Sequence, residues 1–171
     1  DGNGRLGRLL ITLMLINDGV LHSCLFYPSF QFKKNRSEYY RQLTSVRERG
    51  TYEEWIEFFC NSLLESAKDS VGSLKNLVDL HNRSTATITE NLGRTAANGQ
   101  RLLGILEEHP IVDTAFIAAQ LDIGRSTASS LVKSFEELGI LRPLDESRQR
   151  YRQYGYEEYL SILREDAEPI R

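Results

Sequence analysis

The sequence predicts a mainly α protein: a set of core helices, then linker helices, then a winged helix-turn-helix with a small β-hairpin. Three observations carry this. Apolar residues recur at helical spacing through most of the 171 residues. Gly or Pro interrupts that spacing at Gly19, Pro28, Gly50, Pro110 and Gly139. The final third runs helix, helix, turn, helix, extended pair, helix, which is the order of a winged helix-turn-helix.

Taken in order, Leu6, Leu9, Leu10, Leu13 and Ile16 define a first helix, with Gly19 as its C′ residue. Val20 to Phe32 is aromatic and irregular, broken by Pro28. A second helix starts near Asn35, which has Glu38 at capping-box distance and an apolar stripe of Tyr39, Leu43 and Val46; Gly50 ends it. A third begins at Thr51 with Glu54 as box partner, and Trp55, Phe58, Phe59, Leu63 and Leu64 give it a face to bury. From Ser73 the aromatics vanish and Ser and Thr become frequent. One or two connecting helices are expected there, with a break between Gly93 and Gly99. "RLLGILEEHP" is a helix stopped by Pro110, and Asp113 caps the short helix that follows. "GRSTASSLVKSFEELGIL" is a turn and a helix, with Ser126 near its start and Gly139 at its end. "RPLDESRQRYRQYGY" reads as a hairpin in which Tyr151, Gln153 and Gly155 alternate. "EEYLSILRE" closes with a helix. The expected domains are 1–70, linker helices over 71–99, and a winged helix over 100–171.

The charge balance is ordinary, with 26% charged residues, 40% hydrophobic residues and a net charge of −3. That excludes a strongly basic nucleic-acid binder and leaves room for a local basic patch. The longest apolar stretch, Leu9 to Ile16, is too short to span a bilayer. It follows glycines and arginines rather than a signal-peptide pattern, so no membrane partner and a cytoplasmic location are expected. Cys24 and Cys60 lack CxxC spacing and read as reduced thiols. His22, His81 and His109 lie too far apart for a metal-ligand motif.

The chain opens with "DGNGRLGR". A Gly-Asn-Gly turn feeding a helix makes an anion site, because glycines let backbone N–H groups approach a ligand at the positive end of the helix dipole. Arg5 and Arg8 project from neighbouring positions of the first turn and present two guanidinium forks to phosphate groups. Asp1 beside phosphates calls for a bridging divalent metal. The alternative is a Gly-rich loop with surface arginines.

Asp1-Gly2-Asn3-Gly4-Arg5-Leu6-Gly7-Arg8 resembles the second part of the Fic motif, HxFx(D/E)GNGRxxR. "SFQFKKNRSEYYRQLTSVRERGTYEEWIEFF" is similar to the helices that follow that motif, so the resemblance covers about residues 1 to 65. It implies the C-terminal helices of a Fic core and a protein that transfers AMP from ATP to a hydroxyl of a target protein. It implies that Asp1 holds Mg²⁺ and that Asn3 bonds a phosphate. The backbone of Gly2 and Gly4 would line the anion hole, and Arg5 and Arg8 would hold phosphates or stabilise the loop. Tyr40 would lie beside the adenine, or else be a core tyrosine. The family's general base is the histidine four positions before the Asp, so the chain is expected to be part of a longer Fic protein and inactive alone. The inferred cofactors are ATP and Mg²⁺.

"FIAAQLDIGRSTASSLVKSFEELGIL" resembles the helix-turn-helix of many bacterial winged-helix regulators. Ala128, Leu131, Val132, Phe135 and Leu138 are expected to pack inward. Arg125, Ser126, Thr127, Ser129, Ser130 and Lys133 are left to face a major groove. Arg148, Arg150 and Arg152 alternate along the second hairpin strand and, with Arg142, are placed for phosphate or a minor groove. Abundant glutamates in this third weigh against phosphate affinity. The module's expected partner is therefore DNA, a docked protein or a second copy of the chain. The alternative to the enzyme is a DNA-binding regulator with a Fic-like structural platform.

Overall fold

A computed structural model of the chain describes residues 3–21, 28–145 and 152–165. The chain divides into two compact units, Asp1–Leu74 with Glu165–Arg171, and Lys75–Arg164. Among the described residues there are eight α-helices and one three-stranded sheet, so the molecule is mainly α with a small β element.

The first unit holds α1 (Asn3–Asn17), α2 (Pro28–Lys34), α3 (Arg36–Arg49) and the leading part of α4 (Tyr52–Asn91). Its centre is aromatic. Phe32 is buried, and its ring lies 5.3 Å from Tyr39 and 5.9 Å from Phe59, while Trp55 lies 5.8 Å from Tyr39. Ring centroids at such separations attract beyond their buried area. Polar groups caught in this packing are paired: Gln31 donates to Asp69 on α4 at 2.5 Å, and the hydroxyls of Ser45 and Thr51 lie 2.6 Å apart.

Gly19 and Gly50 take left-handed φ of 70°, as their places after helices require. Neither capping box forms. The N–H of Asn35 still bonds Gln31 and its carbonyl accepts from Tyr39, so backbone bonding runs through the junction of α2 and α3 and leaves no open helix end to cap. Glu38 instead receives hydrogen bonds from Arg41 and Gln42, and the Arg41 guanidinium holds its carboxyl below the usual range. The Thr51 hydroxyl is taken by Ser45.

The separate connecting helices expected after Ser73 are instead a continuation of α4, which is 40 residues long. Gly72 is the only glycine in it and no proline occurs, and a single glycine costs a helix only about 1 kcal/mol. The break comes at Gly93–Thr95, a short 3-10 turn. The latter part of α4 supplies Leu80 and Ile88 to the second unit's core.

The second unit continues with α5 (Ala96–Glu108), β1 (Ile111–Asp113), α6 (Thr114–Leu121), α7 (Arg125–Glu137), β2 (Arg142–Pro143), β3 (Gln153–Gly155) and α8 (Glu157–Glu165). The sheet order is β1-β3-β2, all antiparallel, with Val112 opposite Tyr154 and Pro143 also opposite Tyr154. Pro143 is accommodated because β2 is an edge strand. The sheet adds β1 to the expected hairpin. Asp113 caps α6 as expected, accepting from the Phe116 N–H at 2.7 Å.

Ile88, Leu102, Leu106, Ile117, Ala128 and Phe135 are fully buried in this core. The Ile88 and Leu92 side chains pack directly against α5 because residue 99 is glycine: a Cβ there would lie 2.8 Å from Ile88 Cγ2 and 2.8 Å from Leu92 Cδ1. Gly104, on the same helix, faces open space. Gly99→Val is therefore expected to destabilise the second unit by about 1–3 kcal/mol through overpacking. Gly104→Ala is expected to stabilise it by about 0.5–1 kcal/mol through helix propensity. Urea unfolding of the two variants checks both signs.

Tyr156 is buried, and its hydroxyl lies 2.8 Å from that of Ser84 on α4. Burial pushes its phenol up to about 12, and burial also raises Tyr159, stacked on it at 5.5 Å. A phenol whose pKa is higher folded than unfolded stabilises the fold fully below the unfolded value of about 10. That contribution is lost as pH rises through the folded value. Stability measured by thermal melts is expected to fall between about pH 10 and 12, and the fall should be shallower in Tyr156→Phe.

Candidate functional site

Two places gather the residues singled out in the sequence, one in each unit. The first is the amino end of α1. Asn3 and Gly4 stand exposed in its first turn, and that turn, Asn3 to Leu6, contains no acidic side chain. Its first N–H groups, which have no partner within the helix, and its dipole thus meet no carboxylate from within the turn. Arg8 is half-buried, and its side chain runs back along the helix: a Cβ at Gly4 would lie 3.5 Å from Arg8 Nη1. Helical side chains lean toward the N-terminus, which is how a residue one turn later reaches the open end. An anion held there would meet backbone N–H groups and a guanidinium together, the donor set that phosphate oxygens favour.

Asp1, Gly2 and the side chain of Arg5 lie outside the described residues. Tyr40 is on α3 and is 53% exposed, so it is not a core tyrosine. It meets Tyr39 edge-on at 5.4 Å, and the Arg36 guanidinium carbon lies 5.7 Å from its ring centre. That leaves much of the ring accessible. Leu6, Leu9, Leu10, Leu13 and Met14 of α1 are all at least half exposed. Among the described residues no group of three or more His, Cys, Asp or Glu is placed to hold a metal.

The second place is α7. Ala128, Leu131, Val132 and Phe135 point into the core, and Leu138 packs partly buried against it. The opposite face leaves Arg125, Ser126, Thr127, Ser129, Ser130 and Lys133 exposed. The helix begins at Gly124, in extended conformation, with no side-chain cap and no acid in the first turn. The turn before it is made by Asp122 at φ 54°. Lys133 lies 3.7 Å from Glu137, an exposed pair of little energetic weight.

Arg142 is exposed on β2, opposite Gly155. Arg152 is half-buried just before β3, so it lies off the strand that was expected to carry the arginine stripe. Arg148 and Arg150 lie outside the described residues. The second unit also has a shallow depression lined by Arg101, Ile105, Glu108, Gln120 and Leu121, in which Arg101 donates to the Leu121 carbonyl at 3.2 Å. The site residues expected from the sequence do not line it.

Sequence reasoning missed two polar ties of the second unit. His81 Nδ1 lies 2.7 Å from Glu107, and Arg83 bonds Glu158 at 2.8 Å. Each joins residues far apart in the chain, and no local pattern announces such a pair. No helix among the described residues is long and apolar enough to cross a membrane. No protein-family model matches the chain.

Proposed function

We propose that the chain carries the phosphate-holding part of a Fic-type protein adenylyltransferase, joined to a winged-helix module. The observation that supports this most is Arg8 folded back over Gly4 at the amino end of α1, within a stretch that matches the Fic motif from Asp1 to Arg8. On this reading Asn3, Gly4 and Arg8 bind and orient the phosphates of ATP, with Gly2 and Arg5 beside them. Tyr40 offers a half-exposed ring to a base. Asp1 is the residue that would hold Mg²⁺, which offsets charge on the phosphates when bound.

In the transfer, the target hydroxyl oxygen bonds to the α-phosphorus, the bond from that phosphorus to the bridging oxygen breaks, and pyrophosphate leaves. The hydroxyl proton needs a base, and base help of this kind contributes roughly 10²–10⁴-fold. In the Fic motif that base is the histidine four positions before the acidic residue that Asp1 matches. On this reading the amino end of α1 is expected to bind nucleotide.

Calorimetric titration with Mg-ATP tests the binding. Arg8→Ala removes a charge-assisted bond of about 1.5–3 kcal/mol, so affinity is expected to fall about 10- to 150-fold. Equal affinity in the variant would refute the role given to Arg8.

The exposed polar face of α7 favours a second reading, a winged-helix regulator that contacts DNA. Arg125 at the helix start is placed to reach base edges and Lys133 to reach phosphate. Anisotropy titrations at two salt concentrations test it. Binding is expected to weaken with salt by a log–log slope of about −0.9 per phosphate contact, and Lys133→Ala to flatten that slope by about 1. No complex at low salt would leave the module to protein contact.

A further inference from the structure

The stretch 28–49, which forms α2 and α3, is basic in a chain whose net charge is −3. It holds six cations, Lys33, Lys34, Arg36, Arg41, Arg47 and Arg49, and two acids, Glu38 and Glu48. Two of the cations are engaged: Arg41 pairs with Glu38, and Arg49 donates to the Ser45 hydroxyl. Lys33, Lys34, Arg36 and Arg47 are exposed, and none has an acidic partner among the described residues. Asp69, which reaches α2 from α4, accepts from Gln31 instead. Unpaired cations gathered on one segment are the electrostatic footprint of an anionic partner.

An aromatic ring stands among them. At 100° per residue Arg36, Tyr40 and Arg47 fall within an arc of about 40°, and they span about 16 Å of α3. Tyr40 is 53% exposed, and the Arg36 guanidinium carbon lies 5.7 Å from its ring centre. Glu48 projects about 100° away from the middle of this line. Lys33 and Lys34 close α2 immediately before it. A ring flanked along one helix by unpaired cations suits a single strand of nucleic acid, whose bases stack on aromatic rings while its phosphates meet cations. An acidic protein segment would use the cations and leave the ring unused. A membrane surface would need large apolar side chains beside the ring, where Ser37 and Thr44 are the exposed neighbours and Leu43 is half-buried.

We propose that this face of α3, with the end of α2, binds a single-stranded nucleic acid, with a base stacked on Tyr40 and phosphates at Lys33, Lys34, Arg36 and Arg47. Stacking and phosphate pairing carry little sequence information, so the surface takes strands of varied sequence. The proposal rests neither on the nucleotide reading nor on the reading of α7. It shares one ring with the former: adenine and a strand base would exclude one another at Tyr40.

Anisotropy titration of the full 171-residue chain with a short fluorescein-labelled oligothymidylate, in the absence of ATP, tests it. Binding is expected to weaken with salt by a log–log slope of about −0.7 per phosphate contact, so about −3 for four contacts. Lys33→Ala combined with Lys34→Ala should flatten that slope by about 1.4. Tyr40→Ala should weaken binding about 5- to 150-fold at constant salt, and Tyr40→Phe, which keeps a ring, should bind as wild type does. Lys133→Ala, on α7, should leave strand binding unchanged.

No complex at low salt, where electrostatic binding is strongest, would overturn the proposal. So would a complex that Lys133→Ala weakens and the lysine double variant does not, because the strand would then lie on α7. Wild-type affinity in Tyr40→Ala would overturn it as well and leave the cations to an acidic protein.

Discussion

The approach of the Ile88 and Leu92 side chains to Gly99 of α5 is a tight contact in the core of the second unit. Two side chains, those of Ile88 and Leu92, occupy the space that any Cβ at residue 99 would need, and the Phe135 ring lies 3.7 Å from the same point. One glycine thereby gives room to the Ile88 and Leu92 side chains. Phe135 belongs to α7, so that helix also packs at ordinary contact distance from the same point. Ser84 and Tyr156 tie the same stretch of α4 to the end of β3, which extends the constraint to the sheet. A core with so little free space adjusts poorly to added volume, because protein interiors pack as densely as organic crystals.

The first unit is organised differently. Its centre is a group of tilted and stacked aromatic rings rather than interlocking aliphatic chains. Those rings order α2, α3 and the start of α4. They leave Leu6, Leu9, Leu10 and Leu13 of α1 in contact with solvent. The amino ends of α1 and α7 have two features in common: no acid in the first turn and a cation close by. They differ in where the cation sits. Arg8 stands one turn in and folds back, while Arg125 is the first residue of its helix. Folding back suits a compact anion held against the backbone. A residue at the first position suits contact with an extended surface.

Much of the second unit was legible in the sequence because its helices have strict period. Ala128, Leu131, Val132 and Phe135 recur at helical steps, and each is buried. Asp113 was legible because a carboxylate ahead of an apolar run has one obvious local use. β1 was not, since three residues carry no period and their pairing with Gln153 to Gly155 is made across the chain. The capping boxes at Asn35 and Thr51 misled because the partners that win there, Gln31 and Ser45, come from the preceding helix. The continuity of α4 was hidden by a shift in composition near Ser73, although composition does not end a helix and only a breaker does. At the candidate site, spacing indicated that Arg8 and Gly4 share one helix end. It did not indicate how exposed Tyr40 would be, because that depends on the packing of Tyr39 beside it.

Whether the amino end of α1 receives a nucleotide is the central question. Backbone amide spectra of the ¹⁵N-labelled chain, recorded as Mg-ATP is added, test this most directly. Saturable shifts concentrated at Asn3 to Arg8, with a smaller response at Tyr40, are the predicted result. Shifts confined to the face of α7, or none at millimolar nucleotide, would contradict it.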